Sequence, residues 1–151
     1  MTPELGHVCD IEADVGPIRD LGPTPHGRRR IVPILGGVVK GPRLKGEIVP
    51  GGADWQYVRS DGVTIAEAVY LLKAHDGTLI QIRNRGVRHG SAEVIQRLTA
   101  GEHVDPVEYY FRASPTFLVS PGPYDWLNKN VFVATGARYA REIELWFYRV
   151  T

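Results

Sequence analysis

The chain has 151 residues, 43% of them hydrophobic and 23% charged, with a formal net charge of +1. That balance supports one core and excludes a disordered chain, and the small charge argues against strong electrostatic binding to nucleic acid or an anionic membrane. The single cysteine, Cys9, excludes an intrachain disulfide and fits a reducing compartment.

No apolar run is long enough to span a bilayer, and the N-terminus lacks the basic head and apolar core of a signal peptide. The expectation is a single cytoplasmic domain over residues 1–151. Its 17 glycines and 11 prolines are spread along the chain, the punctuation of many short strands and turns.

In chain order, His7 to Val15 alternates weakly and reads as a strand. Gly16-Pro17 turns the chain, and Ile18 to Leu21 continues or pairs. Gly22 to Arg30 holds two prolines, two glycines and a basic triplet, and reads as a surface loop. Arg28, Arg29 and Arg30 form an anion site on one reading, and a solvated edge or an oligomer contact on the other. Pro33 makes Ile31 to Ile34 an edge strand or a bulge. Val38 to Lys40 and Leu44 to Val49 are further strands.

Pro50 to Gln56, PGGADWQ, reads as a turn joining two strands. On the strand that follows, Asp54 and Gln56 share one face and Trp55 takes the other. Either the carboxylate points into a cavity with the indole outside, or the reverse. A capping Asp with a core Trp is the plainer alternative.

Ser60-Asp61-Gly62 reads as a hairpin turn, and Val63 to Lys73 as a long strand. Thr64, Ala66, Ala68, Tyr70 and Leu72 lie on one of its faces. Helical propensity competes over this run, but Asp-Gly turns bracket it at Asp61-Gly62 and Asp76-Gly77. Thr78 to Asn84 is a strand, with Leu79, Gln81 and Arg83 opposite Ile80, Ile82 and Asn84. Arg85 to Gly90 reads as a loop. Ser91 is an N-cap for one short helix that ends at Gly101. Val107 to Val119 is a strand, Ser120 to Asn128 a turn, and Asn130 to Ala137 with Glu142 to Val150 a final hairpin. Strand after strand with one late helix predicts an all-β fold, a single antiparallel β-barrel or strongly curved sandwich.

Phosphate-binding loops, dinucleotide fingerprints and nucleophile elbows are absent. The five histidines are scattered and one cysteine builds no thiolate site, so no metal and no cofactor are expected. What remains is polar and aromatic. Asp54 is the candidate acid or base, because burial in an apolar barrel raises a carboxyl's pKa toward neutrality. Arg83 and Arg112 are candidate anion stabilisers and Tyr110 a proton relay. Trp55, Gln56, Trp126 and Asn128 are candidate substrate contacts. The competing reading makes Arg83 and Arg112 surface residues and Tyr110 and Trp126 core.

The runs RRRIVPILGGVVKGPRLKGEIVPGGADWQYVRSDG, YLLKAHDGTLIQIRNRGVR, YYFRASPTFLVSPGPYDWLNKNVFVATG and FYRV resemble the family called domain of unknown function 3237, also known as uncharacterised protein family 0311. The resemblance covers nearly the whole chain. It implies a lipocalin-like or allene-oxide-cyclase-like barrel, and its recurring polar positions fall on Asp54, Trp55, Gln56, Arg112, Trp126 and Asn128. Leu118 stands where the family pattern leads one to expect an acid after Pro115-x-Phe117.

The functional expectation is a barrel that binds a small organic molecule. The leading form is a cofactor-independent isomerase, cyclase or lyase acting by proton transfer beside a carbonyl. The alternatives are a non-catalytic carrier and a structural subunit. A homodimer is expected, without nucleic-acid or membrane partners.

Overall fold

A computed structural model describes the whole chain, Met1–Thr151. Its strands are β1 (Leu5–Val15), β2 (Arg19–Thr24), β3 (Gly27–Lys40), β4 (Gly46–Val58), β5 (Thr64–Ala74), β6 (Leu79–Gly90), β7 (Tyr109–Leu118), β8 (Phe132–Arg138) and β9 (Glu142–Val150). The one α-helix, α1 (Ala92–Thr99), lies between β6 and β7. All pairings are antiparallel, in the order β1-β9-β8-β7-β6-β5-β4-β3-β2. A further pairing of β1 with β3 closes the sheet into a barrel. β1 pairs with the second half of β3 and β2 with its first half, so they share one of eight positions around the wall.

Closure removes the sheet edge, and alternation then sorts side chains into barrel and solvent. On β5, Thr64, Ala66, Tyr70, Leu72 and Ala74 are buried, as alternation of that run implies. Thr99, within α1, and Gly101, beyond it, close the helix that Ser91 opens, where the Ser91 hydroxyl accepts from Val94 N at 3.2 Å.

Three sequence readings need correction. Arg28 to Arg30 belong to β3 rather than to a loop. The triplet is therefore divided by alternation. Arg28 pairs with Asp20, Arg29 lies outside with its guanidinium 4.0 Å from the Tyr57 ring centroid, and Arg30 is buried. Arg85 to Gly90 also continues a strand, β6, because Gly86 to Gly90 pair in register with Tyr109 to Ala113.

The third correction concerns Pro50-Gly51-Gly52. It is a bulge inside β4, not a turn between strands. From Val49 to Ala53 the chain advances four residues while its partner β5 moves two, from Leu71 to Val69. Gly51 takes φ 112°, a region that favours glycine. Pro33 is likewise internal to β3. Its carbonyl accepts from Gly16 N at 2.9 Å, so its missing N–H faces the break between β1 and β2.

The two ends of the barrel differ. At the end formed by the start of β8 and the end of β7, Phe117, Phe132 and Phe147 pack edge to face, with Phe117 and Phe132 centroids 4.9 Å apart. A 3-10 segment, Asp125–Lys129, plugs this end. Asn128 fixes the plug by accepting from Val119 N at 3.0 Å and donating to Val119 O at 2.7 Å. The opposite end carries buried polar side chains and α1.

Gly52 is where the bulge meets the core. A Cβ there would stand 2.5 Å from Tyr70 Cβ and 2.7 Å from Val69 O. Gly52→Ala is expected to lower stability by about 1–3 kcal/mol through overpacking. Gly6→Ala, which has open space around its Cβ, serves as control and should differ from the parent by under about 0.5 kcal/mol. Urea denaturation followed by tryptophan fluorescence measures both.

Candidate functional site

The interior chemistry begins with β4. Strand parity points Asp54 and Gln56 into the barrel, 5% and 1% exposed, and leaves Trp55 outside at 42%. Gln56 Nε2 donates to Asp54 Oδ2 at 2.8 Å, and Gln56 Oε1 accepts from Arg30 Nη2 at 3.0 Å. The amide thus relays between carboxylate and guanidinium. Arg30 is the neighbour of Gln56 across the β3–β4 ladder.

Asp54 Oδ1 has no partner within the chain. It lines a cavity in the middle of the barrel with Tyr70, Asn84, Phe111 and a run of small residues, Ala13, Ala66, Ala68, Gly86 and Ala113. The small side chains create the space: Ala68 is the ladder partner of both Asp54 and Asn84. The cavity is small, about 30 Å³, room for one or two waters. Tyr70 Oη and Asn84 Oδ1 are also without partners. Three unpaired polar atoms therefore line one largely apolar cavity, the arrangement of a binding pocket with a few orienting groups.

Toward the helix end, Arg88 and Arg138 join Arg30. All three are buried and share a pocket with Thr64, Ile95 and Leu98. Tyr109 Oη accepts from Arg138 N at 2.9 Å, fixing the end of β8 against the start of β7. Arg88 sits 5.4 Å above the Phe111 ring, and Gly136 makes room for that ring, since a Cβ there would come within 2.8 Å of Phe111 Cδ2. A wider groove beside Arg138, lined by Pro17, Leu35, Leu98 and Ala140, opens to solvent.

Burial pushes the Asp54 carboxyl above its ordinary 3.8, against the opposing pull of the Gln56 hydrogen bond, the charges of Arg88 and Arg138 and, least, the backbone N–H of Glu67. Burial and the neighbouring Arg138 lower the Arg88 guanidinium to about 10, with Asp54 opposing. Burial raises the Tyr70 phenol, which remains a proton donor. Cys9, in the core, is pushed up to about 12 by burial and Asp10, so its thiol is inert near neutrality.

The remaining predicted site residues lie elsewhere. Arg83 is on the outer wall beside Glu67 at 3.4 Å. Tyr110 is 45% exposed, and the Arg112 guanidinium stands 5.1 Å from its ring, also outside. Strand parity sends all three away from Asp54. Trp126 and Asn128 belong to the plug at the far end, where Arg43 covers the indole at 4.1 Å. Of the predicted set, the cavity and its hydrogen-bonded chain bring together Asp54 and Gln56. Sequence reading offered Arg30 only within the basic triplet read as an anion site or a solvated edge, and missed Arg88, Arg138, Tyr70 and Asn84. Asn84 and Tyr70 were legible as partners of Ile82 and Leu72 on an apolar face. Arg30 and Arg88 were hidden by loop readings.

No three His, Cys, Asp or Glu side chains gather as a metal-binding group. No helix is long and apolar enough to cross a membrane.

The family model described as Protein of unknown function (DUF3237) matches residues 3–150. A "UPF0311 protein" of Rhodopseudomonas palustris is 38% identical over 152 aligned residues, covering 99% of both chains. The crystal structure of a conserved protein of unknown function from the same species superposes with a TM-score of 0.97 at 37% identity, covering 100% of this chain and 99% of that one. A structure described as an enzyme from Penicillium herquei superposes at a TM-score of 0.74 with 19% identity, covering 100% and 96%, a likeness of fold.

The raised Asp54 pKa predicts a pH signature. A carboxyl whose folded pKa lies above its unfolded value adds most to stability below the unfolded pKa, and loses that contribution as pH rises through the folded one. Asp54→Asn removes this loss. The melting temperature of Asp54→Asn minus that of the parent is therefore expected to grow as pH rises from about 4, and calorimetric scans across pH measure it. A difference that shrinks over that range would mean that the arginines, not burial, dominate the carboxyl.

Proposed function

The chain belongs to the DUF3237 family, and we propose that its barrel is an acid–base enzyme: a cofactor-independent isomerase, cyclase or lyase acting on a small organic molecule beside a carbonyl. One observation carries the reading. A buried carboxylate offers an unpaired oxygen to an apolar cavity, with Arg88 and Arg138 close enough for their charges to act on it. That is the pairing proton abstraction next to a carbonyl requires. A fungal barrel of the same fold is described as an enzyme, which supports catalysis on this frame.

In the step we assign, Asp54 Oδ1 takes a proton from the carbon beside the carbonyl. The C–H electron pair moves into the new C=C bond, and the carbonyl oxygen becomes an enolate. Arg88, whose charge acts more on the Asp54 carboxyl than that of Arg138, stabilises the enolate charge, and Tyr70 Oη donates a hydrogen bond to the substrate. Where a C=C bond is conjugated with the enolate, return of the proton from Asp54 to its far carbon, with the electron pair shifting back to restore the carbonyl, completes a double-bond isomerisation. Expulsion of a leaving group from the next carbon instead gives a lyase. Gln56 and Arg30 are positioning residues that hold the Asp54 carboxylate in one orientation.

Mass spectrometry of small molecules that co-purify with the protein supplies substrate candidates. With a turned-over substrate in hand, Asp54→Asn is expected to cut turnover by roughly a hundred- to ten-thousand-fold with little change in binding. Turnover within a few-fold of the parent sinks the assignment. Arg83→Ala, on the outer wall, should leave turnover within about two-fold, consistent with a surface change away from the reacting groups. Binding without any turnover would point instead to a carrier.

A further inference from the structure

The helix end of the barrel holds more positive charge than proton transfer needs. Arg30, Arg88 and Arg138 are each more than nine-tenths buried, and Asp54 is the only carboxylate buried with them. The only other carboxylate acting on Arg30 is Asp20, which is exposed and already paired with Arg28, so positive charge stays in excess with Asp54 ionised. Acceptors are short too. Arg30 Nη2 reaches Gln56, but Arg30 Nε and Arg138 Nη1 have no partner within the chain. Arg88 has an aromatic face beneath it rather than an acceptor. Buried cations without anions are costly to keep. A cluster of them aimed into one pocket points to an anion that completes it.

The donors define which anion. Phosphate sites commonly recruit backbone N–H groups at a helix N-terminus or a glycine-rich loop. Here α1 turns the side chains of Ile95, Leu98 and Thr99 toward the pocket, and the N-terminal amide of Val94 is occupied by Ser91. The charge is offered by planar guanidinium forks, which match a carboxylate or a phosphate two hydrogen bonds at a time, so the occupied helix amide and the apolar surroundings decide for a carboxylate. Beyond them the space is apolar. Phe111 is both the platform under Arg88 and a wall of the cavity that Asp54 lines.

We propose that Arg30 and Arg138, whose Nε and Nη1 are free, recognise a small organic carboxylate, whose apolar body passes Arg88 and Phe111 toward Asp54. This names the substrate class of the acid–base site and rests on that reading for its purpose, though binding is testable alone.

The test is calorimetric titration of the purified protein with sodium benzoate, sodium 3-phenylpropionate, benzamide and inorganic phosphate, at low and high salt. The carboxylates are expected to bind, more weakly at high salt. Benzamide, of the same shape without the charge, should bind about ten-fold or more weakly. Arg138→Gln should lower carboxylate affinity about ten-fold, and Arg138→Lys should recover part of it. Asp54→Asn, which removes a negative charge, should bind carboxylates at least as tightly as the parent.

Should Arg138→Gln fail to fold, the benzoate–benzamide comparison on the parent protein decides. Equal binding of benzamide and benzoate overturns the proposal. So does binding of phosphate in place of the carboxylates, or failure of both carboxylates to bind at their highest soluble concentration. Carboxylate binding with no Asp54-dependent turnover upholds this inference and removes the acid–base reading. Asp54-dependent turnover of neutral carbonyl compounds without carboxylate binding does the reverse.

Discussion

Burial of Asp54 organises the helix half of the barrel, because a carboxylate withdrawn from water must find donors in the wall that encloses it. Gln56, two residues on along the same strand, supplies the first at 2.8 Å. Gln56 is itself buried, and its carbonyl oxygen is satisfied by Arg30 from the next strand. The chain of contacts thus passes from β4 to β3 and ends on a charge. Arg88 and Arg138 approach from β6 and β8 and pull the carboxyl toward ionisation while burial pushes it the other way. Four strands are coupled through one side chain. A barrel built only for stability would fill this volume with apolar residues, as Phe117, Phe132 and Phe147 fill the other end.

The barrel was legible in the sequence because closure makes every strand obey the same alternation. Where a run was read as one strand, its buried face was legible too: Thr64, Ala66, Tyr70 and Leu72 on β5, Tyr109 and Phe111 on β7, Leu145 and Phe147 on β9. The site was half legible for the same reason. Asp54 and Gln56 share a face by parity alone, and the structure decides that the face is the inner one. Arg83, Tyr110 and Arg112 were chosen by side-chain chemistry with their parity left open. Each falls one residue from an inward position, beside Asn84, Tyr109, Phe111 or Ala113.

The buried arginines were illegible for a different reason. A loop signal built on glycine, proline and charge density treats RRR and RGVRHG as solvated, yet a closed barrel carries its strands through both. Inside a strand, a charged residue every second position is split between two solvents, water and the barrel interior. Arg28 and Arg30 share a side of β3, but Arg28 lies near the strand end and meets Asp20, whereas Arg30 lies deeper and meets Gln56. Composition cannot make that distinction, which depends on distance from the rim.

The glycines of β3 and β4 connect wall to cavity. Both strands are among the longest of the sheet and both carry register shifts, at Ile34/Gly37 and at Val49/Ala53. A bulge adds length to one strand without adding a pair, so it bends the wall and tightens local twist. Gly52 lies there against Tyr70, and the Asp54 side chain enters the interior two residues later. Had the Val49–Leu71 register run on without the bulge, Asp54 would stand opposite Ala66, next to Thr64 and nearer the start of β5. With the bulge, Asp54 sits opposite Ala68, mid-barrel, where Ala66 and Ala68 leave open the space in front of its free oxygen. The distinctive PGGADWQ run is thus one device: proline and glycines set the bulge, the bulge sets the register, and the register sets the carboxylate beside its cavity.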